Sequence, residues 1–352
     1  MRPLIVQQSF PDPRPTTNPY IWLLRDALQS LPDTEVHTFT WARALFGRYD
    51  VFHVHWPEIL VDGRSRVRAA VRQSLTAVLL VRLRATRTPL VRTVHNVELP
   101  EGLSWSRRRL LRAVDRQTTM RIRLNTTTEL PVNQPYATIL HGHFRDWFEQ
   151  YPRAQQVHGR IAYFGLIRRY KNVDTLLRVF ALLPGDGSLH VEGLPSSAEL
   201  RAALVELASH DDRVRLRLEF LTDEDLVRTV SESELVVLPY REMHNSGSVL
   251  TALSLDKPVL VPANLVTERL RDEVGRGWVF TYPDALTADV LAGTLAELRG
   301  IGVRVGPDLS ARNWDEAGRA HVRAYRSAIT LARRGRVRSS APLEPGAEGA
   351  SL

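Results

Sequence analysis

Four short stretches of the chain carry the residue types that could do chemistry. Two pair histidines with carboxylates: His53-Val54-His55-Trp56-Pro57-Glu58 and Thr93-Val94-His95-Asn96-Val97-Glu98. Imidazole and carboxylate groups move protons near neutral pH, so His95 and Glu98, then Glu58 and His55, are candidates for a general base. The same histidines could hold a metal, but none has ligand spacing as tight as HExxH, and His53, His55 and His95 fall on different loops. A metal centre is the weaker reading. The other two stretches suit an anion. Gly165-Leu166-Ile167-Arg168-Arg169-Tyr170-Lys171-Asn172 offers cations where a helix begins, at the positive end of its dipole. Pro239-Tyr240-Arg241-Glu242-Met243-His244-Asn245-Ser246-Gly247-Ser248 offers small residues that let backbone N–H groups approach a phosphate. Arg168, Lys171 and the turn Asn245, Ser246, Gly247, Ser248 together read as a diphosphate cradle. Taken singly, each stretch has a plainer reading as a strand-end loop, a solvated basic turn or a serine helix cap. Their occurrence in pairs favours function.

The elements that must position these stretches alternate regularly. In the first half, Pro3–Gln8, Val36–Thr40, Val51–His55, Leu90–His95, Arg121–Asn125 and Thr138–Leu140 read as strands. Tyr20–Leu31, Arg64–Thr86 and Ser106–Asp115 read as helices between them. The pattern restarts at Arg160–Phe164 and runs through strands at Ser188–Glu192, Val214–Phe220, Leu235–Pro239, Val259–Pro262 and Trp278–Tyr282, each followed by a helical stretch. This predicts an α/β protein with two doubly wound, Rossmann-like domains facing across a cleft. The expected division is 1–155, 156–311, a helix at 312–333 that crosses back to the first domain, and a disordered tail at 334–352 rich in Ser, Pro, Gly and Ala. Ligands of such sheets bind beyond the carboxyl ends of the strands, where all four stretches lie.

Composition excludes several classes. The 352 residues hold no cysteine, which removes disulfides, thiolate metal sites and a cysteine nucleophile. No secretory signal is visible in Met1–Phe10, which lacks a basic start and a long apolar core, and no apolar run approaches the ~20 residues of a membrane span. A soluble, cytoplasmic protein is expected. There is no GxGxxG and no Walker lysine loop, which disfavours dinucleotide oxidoreductases and ATPases. No nucleic-acid motif is visible. The net charge is +8 and unevenly placed: Leu60–Thr126 holds fifteen arginines against four acids, so the rest of the chain is slightly acidic. Such a patch suggests a polyanion or an anionic membrane surface, with Val67, Val71, Leu75, Val78 and Leu79 among the arginines of Arg64–Arg87.

In order and spacing, these segments resemble the GT-B glycosyltransferases, especially bacterial mannosyltransferases of exopolysaccharide and glycolipid assembly. The likeness runs from residue 1 to about 333. Asn18-Pro19-Tyr20 and the two histidine stretches look like the family's first-domain segments. Gly165–Asn172, Phe220–Leu226, Asn245–Ser248 and Asp256-Lys257-Pro258-Val259 look like its donor domain. The resemblance implies transfer of a hexose, with mannose from GDP-mannose as the guess, from a nucleoside diphosphate to a lipid-linked or polysaccharide acceptor. No cofactor is expected, and a diphosphate held by backbone and basic side chains, with no acidic cluster beside it, fits a sugar nucleotide bound without a metal. The resemblance gives Arg168, Lys171, Glu242, Asn245, Ser246, Gly247 and Ser248 to the donor, and Asn18, Tyr20, His55 and Glu58 to acceptor or sugar. His95 matches a histidine close to the transferred sugar. The family's usual arginine after the glycine is Leu166 here, with Arg168 as its substitute. The two glutamates that flank the phosphate turn in the large retaining branch are not both present, and Glu242 is the nearest match to one. The chain therefore looks closer to an inverting branch that includes bacterial β-mannosyltransferases. A sugar-nucleotide epimerase of similar fold, or a non-catalytic module for anionic glycans or membranes, is the alternative.

Overall fold

Apolar runs of four or five residues form parallel strands, and the amphipathic stretches between them form the covering helices. The computed structural model describes residues 2–14, 16–63, 65–96, 102–241, 243–302 and 305–334. The chain divides into two units, Met1–Gly142 with Arg312–Leu352, and His143–Ala311. The division falls thirteen residues before the expected boundary between 155 and 156. The chain from His143 onward is already tied to the second unit, where the Phe144 amide donates to Ser254 Oγ at 2.8 Å and Arg145 pairs with Asp256.

The first unit contains β1 (Leu4–Gln8), α1 (Pro19–Gln29), β2 (Thr34–His37), α2 (Trp41–Phe46), β3 (Val51–Val54), α3 (Glu58–Val61), α4 (Arg66–Ala85), β4 (Leu90–Val94), α5 (Trp105–Gln117), β5 (Thr118–Arg123) and β6 (Tyr136–Thr138). The second contains α6 (Arg145–Phe148), β7 (Arg160–Phe164), α7 (Val173–Ala181), β8 (Ser188–Glu192), α8 (Ala198–Ala208), β9 (Val214–Arg217), α9 (Asp223–Glu232), β10 (Leu235–Val237), α10 (Gly247–Ser254), β11 (Val259–Pro262), α11 (Leu265–Val274), β12 (Val279–Tyr282) and α12 (Ala288–Gly300). The last helix, α13 (Trp314–Arg334), returns to the first unit.

Each unit holds one six-stranded parallel sheet. The orders are β2-β1-β3-β4-β5-β6 and β12-β11-β10-β7-β8-β9. Connections turn to opposite sides of the sheet at β1/β3 in the first and at β7/β10 in the second, and a crevice opens at such a point beyond the strand ends. The central strands are covered on both faces. Leu235, Val236 and Val237 of β10 have no exposed surface, and burying each contributes roughly 1.5–3 kcal/mol.

Helix α13 packs on α1 because Gly318 faces the Ala27 carbonyl: a Cβ there would lie 2.7 Å from that oxygen. This close seating carries His321 and Tyr325, both almost fully buried, into the first unit's core.

Candidate functional site

In the first unit the reversal point gathers polar groups that the flanking strands leave at their ends. Gln8 closes β1, His55 follows β3 and His95 follows β4. The His55 backbone N–H donates to Ser9 Oγ at 3.1 Å, which sets the loop. His55 Nε2 lies 3.1 Å from Gln8 Oε1, and its Nδ1 lies 3.3 Å from His95 Nε2. His53, inside β3, reaches Thr93 Oγ1 through Nε2 at 2.8 Å and the Tyr325 hydroxyl through Nδ1 at 2.7 Å. Of these histidines, His53 and His55 are buried, while His95 is partly exposed and lies flat on Trp56 with ring centroids 4.1 Å apart.

Burial dominates the electrostatics. Desolvation, with help from neighbouring imidazoles, holds His53 and His95 well below the ordinary histidine range. Desolvation lowers His55 to about 3, and His141 and His321 to about 4. All five are neutral at pH 7, so each ring keeps one nitrogen lone pair and one N–H.

The second unit builds a site of the opposite character. After β7 the chain turns at Gly165, with φ +99°, and then forms a single 3-10 turn over Arg169–Lys171. Asn172 closes that turn in the left-handed region and starts α7. After β10, the Arg241 N–H donates to the Tyr170 carbonyl at 2.9 Å and joins the two loops. Lys171 is 9% exposed, and its ammonium stands 4.8 Å from the centre of the Tyr240 ring. The Tyr240 hydroxyl donates to Ser248 Oγ at 3.2 Å. Ser248 Oγ lies 3.9 Å from where a Gly165 Cβ would be. The two sequence stretches thus converge at the β7/β10 reversal point.

Among the described residues, no carboxylate pairs with Lys171. Desolvation, followed by repulsion from Arg168, lowers its ammonium to about 8. A buried cation without a counter-charge is costly, and an incoming anion relieves the cost. Gly247 is open, with nothing within 4 Å of a Cβ position, so the start of α10 is accessible to that anion. Ser246 caps the same helix through Val249 N. Asn245 is half-buried beside it. Arg168 is exposed, and its charge repels that of Lys171.

Three expected site residues have other work. Asn18 caps α1 through Tyr20 N, at 3.0 Å. Tyr20, 2% exposed, is an aromatic hub whose ring centre lies 4.8 Å from His141, 5.1 Å from His95 and 5.4 Å from Trp314. It has no surface to offer a sugar. His55, equally buried, stands behind His95 and presents no free face to an acceptor. Glu58 opens α3 and is half-buried. Glu98 and Glu242 lie outside the described residues. Sequence reasoning missed Gln8 and Tyr325, and gave Tyr240 no role of its own. A polar Gln7-Gln8-Ser9 run ending an apolar strand was a signal for the first. The four-residue spacing of Ala317, His321 and Tyr325 on one helix face was a signal for the second.

No family model matches the chain. The chain is 42% identical over 320 residues to the GDP-mannose:glycolipid 4-beta-D-mannosyltransferase of Xanthomonas campestris pv. campestris, covering 90% of both chains. Two solved structures have the same fold. One is a sucrose-phosphate synthase from Thermosynechococcus elongatus, with a TM-score of 0.57 and 16% identity over 95% of this chain and 98% of that one. The other is Anabaena Alr3699/HepE in complex with UDP and glucose, with a TM-score of 0.58 and 14% identity over 94% of this chain and 98% of that one.

Proposed function

The chain belongs to the GT-B glycosyltransferases, within the family of the Xanthomonas mannosyltransferase, and we propose that it transfers mannose from GDP-mannose to a glycolipid with inversion. The buried ammonium of Lys171, paired with no carboxylate among the described residues, carries the reading: the second unit is a donor domain built to take a diphosphate. The first unit holds the acceptor and supplies the base.

The mannose of GDP-mannose is α-linked, and the relative's name states a β product. One displacement at the anomeric carbon accounts for the change. The acceptor oxygen forms the new bond to that carbon. The old bond to the diphosphate oxygen breaks, its electron pair leaves with GDP, and the acceptor's hydroxyl proton goes to a base. Lys171, Arg168 and the N–H groups at the start of α10 meet the charge that grows on the leaving diphosphate. This requires no metal.

His95 is the base. It is the partly exposed histidine of its cluster and keeps a lone pair at neutral pH. Its basicity is low, but the acceptor hydroxyl becomes strongly acidic once its oxygen bonds to carbon, so a late proton transfer suffices.

The acceptor's lipid calls for a membrane-facing surface. Helix α4 has two apolar faces. Ala69, Leu79, Leu80 and Leu83 are buried, while Val67, Val71, Val78 and Val81 form an exposed stripe on the other side. Trp105 on α5 is 73% exposed with Arg109 over its ring, and the same two helices expose Arg68, Arg84 and Arg108. This suits peripheral binding at an anionic, cytoplasmic membrane face. No described helix is long and apolar enough to cross a membrane.

Thermal melts with GDP, UDP, ADP and GDP-mannose test the donor. GDP and GDP-mannose are expected to stabilise the protein by about 2.7 kcal/mol at a hundredfold excess over Kd. No response to any nucleoside diphosphate, or a preference for UDP, would overturn the assignment.

A further inference from the structure

The polar groups around His95 form one connected line, and its proton order has a consequence for the base. With the Gln8 amide oxygen turned towards His55, the His55 Nε2 that faces it at 3.1 Å must carry hydrogen, because a carbonyl oxygen can only accept. His55 is neutral, so its Nδ1 is then a bare lone pair. That lone pair sits 3.3 Å from His95 Nε2, which must therefore be the N–H donor of the pair. Neutral His95 is left with its lone pair on Nδ1.

We propose that Gln8 and His55 are positioning residues that fix the tautomer of His95, holding its proton on Nε2 and its proton-accepting lone pair on Nδ1. The inference rests on the reading of His95 as the base and adds which nitrogen acts and what sets it. Both residues are placed for this task and shielded from others. Gln8 has no exposed surface and His55 has 2%, so neither touches a bulky acceptor. Trp56, stacked on His95 at an interplanar angle of 17°, keeps the ring from turning over and exchanging its nitrogens.

Beside this line, the Tyr325 hydroxyl bonds His53 Nδ1, and His53 Nε2 bonds Thr93. A histidine held in the wrong tautomer loses up to about 10⁴-fold in turnover in a triad.

The test is nitrogen NMR of the full chain labelled with ¹⁵N-histidine, with His95 assigned by its loss in His95→Gln. A pyrrole-type Nε2 and pyridine-type Nδ1 on His95 are expected. The reverse pattern overturns the proposal, whatever any variant does. Gln8→Met then removes the acceptor at similar volume. It is expected to mix the two tautomers of His95 and lower kcat by on the order of 10²-fold, with KM for GDP-mannose unchanged. Gln8→Glu keeps an acceptor oxygen and is expected to restore both the spectrum and the rate. If Gln8→Met folds but leaves tautomer and kcat intact, Gln8 does not position His95. If His95→Gln itself turns over like the wild type, the base assignment fails instead, and the two failures are separate.

Discussion

Replacing Lys171 with methionine should make the unliganded protein more stable and the liganded protein less so. The ammonium is 9% exposed, and its surroundings lower it from 10.5 to about 8. That drop corresponds to about 3 kcal/mol held against the charged form. Methionine keeps the apolar stem and removes the charge. It also removes the contact with the Tyr240 ring, worth about 0.5–2 kcal/mol. The balance is a gain of about 1–2 kcal/mol at pH 7, in the unfolding transition of the second unit. The sign with pH follows from the same values. Below pH 8 folded and unfolded chains both carry the proton, and the wild type bears the full cost. Between pH 8 and 10.5 the folded chain releases its proton first, so the wild type gains stability and the advantage of Lys171→Met shrinks. Diphosphate binding favours the protonated lysine, so wild-type affinity for GDP should weaken above pH 8, while the variant's weak affinity stays flat. Urea denaturation at pH 7 and 9.5, with and without GDP, reads all of this. A variant that is less stable at pH 7 and still stabilised by GDP like the wild type would refute the cradle.

Acid should unfold the first unit early. His55, His141 and His321 are held at about 3, 4 and 4, against 6.5 unfolded, so stability is intact above pH 6.5 and falls as pH drops towards those values. At pH 5 each forfeits about 2 kcal/mol, and near-ultraviolet circular dichroism from Tyr20, Trp56 and Trp314 should follow the loss; unchanged stability from pH 7 to 5 would contradict it. Gly318→Val should destabilise the first unit by about 1–3 kcal/mol by driving α13 off the Ala27 carbonyl, and an unchanged melting temperature would show that the seating is loose. Transfer should persist in excess EDTA, and activity abolished by EDTA and restored by manganese would assign the leaving-group charge to a metal. Co-sedimentation with anionic vesicles should exceed that with neutral ones and weaken with salt, while Val71→Asp with Val78→Asp should abolish it without changing GDP binding.

The fold class was legible because both sheets are parallel and covered on both faces, so strands such as Leu235–Val237 stand out as unbroken apolar runs. The cationic stretch was legible for the same reason: Arg168 and Lys171 follow such a strand directly. Two things were hidden. The burial of Lys171 depends on Tyr240, which is remote in sequence and joins it through the β7/β10 crossing. The role of His55 depends on Gln8, contributed by the first strand. Sequence spacing marks what lies at a strand end. It does not say which strand ends are neighbours. Nor does a family resemblance show burial: it gave Tyr20 to acceptor or sugar, and the aromatic cluster buries that residue.

The most direct measurement is the anomeric configuration of the product. Purified protein, GDP-mannose labelled with ¹³C at the anomeric carbon and a glycolipid acceptor should release GDP in step with a new mannosyl linkage. The one-bond carbon–proton coupling at that carbon should identify the linkage as β. An α-linked product would contradict the single displacement with His95 as base, and GDP-mannose left intact in the presence of acceptor would contradict the transfer itself.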